Sequence, residues 1–290
     1  MEAVVTQQKA PMALKTMLGA QQVKDRFSEI LGKKAPGFIS SILSAANNNA
    51  LLQKAEPQSV LNAAVIAATL DLPINNSLGM AYIVPFNDNK NHTCLAQFQL
   101  GYKGIVQLAI RSGQYHKINV TEVYEGEIKS ENKFTGEYEF GEKTSDKVVG
   151  YMAYFRLTSG FEKYLYMSKE QCEAHGKKYS QTYKRGFGLW KDAFDEMSKK
   201  TVLKQLLSKF GVMSIDIQRA QIFDQSVVKS DLIKTDVDES EVTYADIPED
   251  PETKREAMRE AMREAMKQNV DEAQVVDNES GGLFPPKNEE

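Results

Sequence analysis

Near residue 80 the apolar residues of this chain change from helical spacing to alternation, and a chain that switches once after a run of helices is directed toward an α+β fold. Before the switch, Leu14, Met17, Leu18, Phe27, Ile30 and Leu31 recur at helical intervals over 12–31, with Gly32 as the stop. A second helix runs from Pro36 to the Asn47–Asn49 turn through Phe38, Ile39, Ile42, Leu43 and Ala46, and a third follows Glu56 with Val60, Leu61, Ala64, Val65 and Ala68. After the switch, Met80–Phe86 reads as a strand, 87–92 as a turn and Thr93–Leu100 as the return strand. Cys94, Ala96, Phe98 and Leu100 share its core face, and Gln97 and Gln99 lie on a mostly polar opposite face. A glycine-bounded helix spans 101–113. The segments 118–128, 133–140, 148–157 and 161–167 are aromatic and β-branched, punctuated by glycine, and read as an antiparallel meander. Ser168 is placed to cap a helix, and a long helix covers about 189–210. Trp190, Ala193, Phe194 and Met197 form one stripe of that helix, and Leu203, Leu206, Leu207 and Phe210 lie on the opposite side, so its halves need different neighbours.

Charge divides the chain. Residues 1–220 hold 28 lysines and arginines against 21 acidic residues, a net +7, whereas 221–290 hold 8 against 19, a net −11. A basic body with an acidic tail is the pattern of a nucleic-acid-binding core, although a tail that only keeps the protein soluble accounts for the charge equally well. The expected organisation is a flexible N-terminus over 1–20, a binding core over 21–225, and an acidic linker over 226–290. That linker carries a short helix over 252–268, where REAM recurs three times and Met258, Met262 and Met266 line one face as a partner-binding surface. With no apolar run long enough to span a bilayer and no secretory leader, a cytoplasmic protein with two free thiols, Cys94 and Cys172, is expected.

Enzymatic chemistry finds little support. The run from Gly136 to Thr144 misses the phosphate-loop spacing because Glu142 separates Gly141 from Lys143, and it carries three glutamates. His92 with Cys94 and Cys172 with His175 lie too far apart in sequence to suggest a metal site, and neither a metal nor another cofactor is expected. Asp192, Asp195 and Glu196 read as a solvated helix face.

Basic groups interleaved with aromatics carry more information. From Lys177 to Lys191 the chain sets Lys177, Lys178, Lys184, Arg185 and Lys191 among Tyr179, Tyr183, Phe187 and Trp190 without an acidic residue. Cations neutralise phosphates and ring faces stack on bases, at about 1–3 kcal/mol per base. Trp190 reads equally as a core anchor. On the 101–113 helix Lys103, Gln107 and Arg111 stand at i, i+4 and i+8 on one face, with Tyr102 beside them, Lys117 beyond, and Gln97 and Gln99 before. Lys199 and Lys200 add a further basic point.

The runs GYKGIVQLAIRSGQYHKINVTEVYEGE (101–127) and WKDAFDEMSKKTVLKQLLSKF (190–210) together resemble the RecT family of phage recombinases, single-strand annealing proteins related to Redβ, over about 21–225. The resemblance implies N-terminal helices and an antiparallel hairpin or meander packed with a long helix around a basic groove. It also implies ATP-independent annealing of complementary single strands by a homo-oligomeric ring or filament, beside a 5′-to-3′ exonuclease and a single-strand-binding protein reached through the tail. It assigns phosphate or sugar contacts to Lys103, Gln107, Arg111, Lys117, Arg185, Lys191, Lys199 and Lys200. Two readings from other classes stay open: a metal-dependent nuclease, and a DNA-loading scaffold without annealing activity.

Overall fold

The computed structural model describes residues 13–88, 93–228, 230–235 and 242–244. The first helical segment is two helices, α1 (Leu14–Gly19) and α2 (Gln21–Leu31), because Ala20 between them is extended. Leu18 of α1 is buried in the core, so 14–19 belongs to the folded body, contrary to the expectation of a flexible 1–20; residues 1–12 lie outside the described residues. Helices α3 (Ala35–Asn47) and α4 (Pro57–Thr69) follow the expected spacing, with proline in the first turn of each, where no backbone N–H is needed. Every residue of α4 from Ser59 to Ala68 is buried. This helix packs on one side against the hairpin of β1 (Ala81–Asp88) and β2 (Thr93–Leu100) and on the other against α1 and α2.

Past β2 come α5 (Tyr102–Arg111) and the strands β3 (Tyr115–Tyr124), β4 (Ile128–Asn132), β5 (Glu137–Phe140), β6 (Val148–Leu157) and β7 (Glu162–Ser168). They do not form a simple meander. β3 pairs with β6 and β6 with β7, all antiparallel, and β4–β5 is a separate ribbon inserted after β3. Ser168 caps α6 (Lys169–Tyr179) through a reciprocal bond pair with Gln171, 3.2 Å from the Gln171 N–H to the hydroxyl and 2.8 Å from the Ser168 N–H to Oε1.

The long helix is broken. After the short α7 (Gln181–Lys184), α8 (Leu189–Asp192) is separated from α9 (Phe194–Phe210) by Ala193, whose backbone is not helical. The break divides the first apolar stripe: Trp190 sits on α8, which packs with α7, whereas Phe194 and Met197 belong with the second stripe to α9, which lies across β3, β6 and β7 and against α5. Tyr151, Ala153 and Phe155 of β6 point toward α9 and are buried.

Beyond Phe210 the chain adds α10 (Ile215–Phe223), β8 (Ser226–Val228) and β9 (Val242–Tyr244), completing a sheet in the order β1-β2-β8-β9. Part of the expected linker is therefore core. Asn62 of α4 donates to the carbonyls of Val228 (2.9 Å) and Ser230 (2.7 Å) and accepts from the Leu232 N–H (3.3 Å), which satisfies a buried amide and holds this stretch on the central helix. The acidic 252–268 segment, with Met258, Met262 and Met266, lies outside the described residues. Among the described residues no helix is long and apolar enough to cross a membrane, and Cys94 and Cys172 are free thiols.

Candidate nucleic-acid interface

The site grows from the junction of β2 and α5. The Gly101 N–H donates to the Met80 carbonyl at 2.8 Å, bringing the chain so close to the 79–80 backbone that a Cβ at 101 would sit 2.1 Å from the Gly79 oxygen and one at 104 would sit 2.3 Å from the Met80 oxygen. Only glycine fits at both positions. The first turn of α5 is thereby held against β1, with Tyr102 half-buried and Lys103 exposed. No side chain caps this helix and no acidic residue occupies its first turn, so its N-terminal partial positive charge is left for an anion.

Opposite stands α9. Lys199 Nζ is 5.2 Å from the centre of the Tyr102 ring and Lys103 Nζ is 5.9 Å from it, so two cations bracket one aromatic. The lysines differ in freedom. The Lys199 side chain is 11% exposed and paired with Glu122 of β3 (2.8 Å) and Glu196 (3.0 Å). Burial disfavours its charge, but the two carboxylates outweigh that and hold the pKa above the ordinary lysine value. The bond from Lys199, opposed by burial, holds Glu122 below the usual carboxylate range. Glu196 is legible in the sequence by its i, i+3 spacing from Lys199; Glu122 is 77 positions away and had no local signal.

Lys200 faces the interior. Its Nζ is 2.8 Å from Asp224 Oδ1, Lys204 Nζ is 3.2 Å from Oδ2, and the Leu100 N–H donates to Oδ1 at 3.0 Å. Asp224 is 2% exposed, and the two lysines with that N–H hold its carboxyl low against the opposing effect of burial. Lys200 is thus a structural cation joining α9 to β2 and to the α10–β8 turn, which corrects its expected place at a phosphate. Arg111 is also engaged: its guanidinium donates to the carbonyls of Leu70 (2.9 Å) and Asp71 (2.8 Å), capping the C-terminal end of α4. Gln107 and Arg111 line a cleft of about 470 Å³ with Lys34, Phe38, Asp71 and Leu78.

Gln97 and Gln99 do not form an open polar face. They are 4% and 8% exposed: α10, inside the expected core, packs on β2, and β8, which lies where the sequence suggested linker, pairs along the second edge of that strand. Trp190 is core at 6% exposure, among the rings of Phe194 (5.8 Å), Tyr183 (5.9 Å) and His175 (6.2 Å). Burial, with Lys204 and Lys178 nearby, pushes His175 down to about 4, so its ring is neutral at pH 7. Asp195 accepts from the Tyr151 hydroxyl and Glu196 pairs with Lys199, so two of the three acids expected on a solvated face are bonded.

Lys184, Arg185 and Lys191 are exposed in the α7–α8 segment, beside the exposed side chains of Phe187 (51%) and Leu189 (42%). From there the first turns of α9, about 8 Å of helix between Phe194 and Lys199, lead to Tyr102. Lys117 is elsewhere. It lies opposite Arg156 in the β3–β6 ladder, on the face turned away from Tyr151, α9 and Lys199.

Residues 36–244 match the RecT family, a span that runs past the expected limit at 225 and through β9. An uncharacterized protein of Bacillus subtilis (strain 168), YqaK, is 45% identical over 253 residues, 87% of this chain and 85% of that one. Protein RecT of Escherichia coli (strain K12) is 30% identical over 184 residues, 60% of this chain and 65% of that one. By the extent of that match, reaching from α3 to β9 and including both elements that bracket Tyr102, the chain belongs to the RecT family.

Proposed function

We propose that this protein binds single-stranded DNA along the N-terminal end of α5 and the α7–α9 segment, and anneals it to a complementary strand without ATP. Family membership implies single-strand annealing in recombination. The observation that carries the residue-level reading is the bracketing of Tyr102 by Lys103 and Lys199 at an uncapped helix N-terminus. Tyr102, Lys103 and Gln107 form one part of the interface, and Lys184, Arg185 and Lys191 the other. Lys199 acts from beneath, its charge shared with Glu122 and Glu196. Lys117, on the far face of its sheet, serves a different segment of DNA.

Lysines that neutralise phosphates remove the repulsion between strands and leave base edges outward for pairing. Base stacking, about 1.4 kcal/mol per step, then drives duplex formation, so nucleotide hydrolysis is not needed. A short groove holds few nucleotides, and repetition along a homo-oligomeric ring or filament multiplies weak contacts. The acidic tail, through Met258, Met262 and Met266, is the part suited to recruiting an exonuclease or a single-strand-binding protein.

The test is annealing of two labelled complementary oligonucleotides without ATP, by the parent and by a Lys103→Ala, Lys184→Ala, Lys191→Ala variant that keeps its melting temperature. Acceleration by the parent and its loss in the variant are expected. Cleaved DNA would instead indicate a nuclease, and binding without acceleration a loading scaffold. Deletion from Pro248 onward spares β9 and is expected to leave annealing intact.

A further inference from the structure

The β4–β5 ribbon ends in a turn that presents the most exposed large apolar side chain among the described residues, Phe134, at 90%. The turn is built, since Asn132 Oδ1 accepts from the Phe134 N–H at 3.1 Å and Lys163 Nζ donates to the Thr135 carbonyl at 3.1 Å. A ring held outward on a fixed turn has lost little freedom before binding, and the contact at its face is the neighbouring Lys133 ammonium, 5.2 Å from the ring centre. Tyr138 and Phe140 brace the ribbon against Tyr164 of β7, with ring centres 6.0 and 5.7 Å apart.

A receptor for such a ring is present on another part of the same chain. The cleft of about 470 Å³ between α3 and α5 is apolar inside, with Leu31, Phe38, Leu72, Leu78 and Met80, and is lined by no residue beyond Arg111, so the ribbon takes no part in its walls. Its rim is basic: Lys34 and Arg111 share the single carboxylate of Asp71, at 2.8 and 3.8 Å, and Lys33 is exposed beside them. The ribbon is acidic, with Glu125, Glu127, Glu131, Glu137, Glu139 and Glu142 against Lys129 and Lys133, a net −4 over 125–142. Charge is complementary between these two surfaces of one chain, and the cleft of about 470 Å³ has room for a ring.

We infer that Phe134 of one copy seats in the α3–α5 cleft of the next, a head-to-tail contact that repeats into a ring or a filament. The contact deepens the oligomeric part of the proposed function and uses none of the residues assigned there to DNA except Gln107 at the cleft wall.

The experiment is assembly of the full chain without DNA, followed by sedimentation velocity across the micromolar range, with Phe134→Asp as the variant lacking the ring and Gly37→Trp as the variant with a filled cleft. A Cβ at Gly37 meets nothing within 4 Å, so the cleft can be filled from that side; Leu78→Glu is the second cleft variant should Gly37→Trp melt early. The parent is expected to form species of several subunits and each variant alone to remain a monomer. Mixed in equal amounts, the two variants hold one intact ring and one intact cleft between them, and should stop at a dimer of twice 32.5 kDa. A parent that assembles while either variant assembles equally, or variants that stay monomeric when mixed, would overturn the contact and leave the oligomer. A monomeric parent would overturn both.

Discussion

Lys199 Nζ lies 2.8 Å from Glu122 Oε1, tying α9 to β3 with the ammonium 5.2 Å from the centre of the Tyr102 ring. This pair sets how much positive charge the α5 terminus can offer, because a carboxylate this close offsets the ammonium that a phosphate would otherwise meet.

Glu122→Gln is therefore expected to strengthen binding of a short single-stranded oligonucleotide several-fold at low salt, and to lower stability by about 1 kcal/mol. The Glu122 carboxyl is held below its unfolded value of about 4.3, so its stabilising contribution is present above that pH and is lost as pH falls through the lower folded value. Urea melts of parent and variant from pH 7 to pH 3 should converge only in the acid range. A variant that binds DNA less tightly would show that Glu122 positions Lys199 for the strand instead of competing with it.

Lys103 and Arg111 share a helix face but should separate in their effects. Lys103→Ala removes an exposed cation whose approach to the Tyr102 ring is long, at 5.9 Å, and should reduce the slope of log affinity against log salt by about 0.7, the loss of one single-strand phosphate contact, at nearly unchanged stability. Arg111→Ala strips two carbonyl partners from the end of α4 and should cost roughly 1–3 kcal/mol while leaving the slope nearly unaltered. Fluorescence anisotropy at four salt concentrations, paired with thermal melts, decides both.

Asp224→Ala leaves Lys200 buried without its counter-charge and should cost about 3–5 kcal/mol. Replacing both partners, Asp224→Leu with Lys200→Met, should recover much of that loss. Because the Asp224 carboxyl is held low, its contribution persists at neutral pH and fades only as pH falls below the ordinary aspartate value of about 3.9. Denaturant melts on the single and double variants measure the coupling.

Trp190 is the chain's single tryptophan, and its emission reports its surroundings. A buried ring predicts blue-shifted emission that moves red on unfolding and keeps its wavelength when DNA is added. Trp190→Ala should cost about 3–5 kcal/mol. Strong quenching by oligonucleotide in the folded protein would reopen a stacking role.

What the sequence by itself determined was local: α3 and α4 from spacing and their first-turn prolines, the β1–β2 hairpin from alternation, the cap of α6 at Ser168, the glycine-bounded α5, and the two runs that carry the family resemblance. These depend on neighbours a few residues apart, and near-neighbour physics is written in the order of the residues. Tertiary structure alone decided which cations are free. Lys199 and Lys200 are adjacent and chemically alike, yet one meets Glu122 at the edge of a site and the other meets Asp224 in the interior. Gln97 and Gln99 read as an open face until β8 and α10, more than a hundred residues later, arrive to cover their strand. The burial of a polar group follows from what the fold brings to it from a distance, and the local pattern holds no record of that.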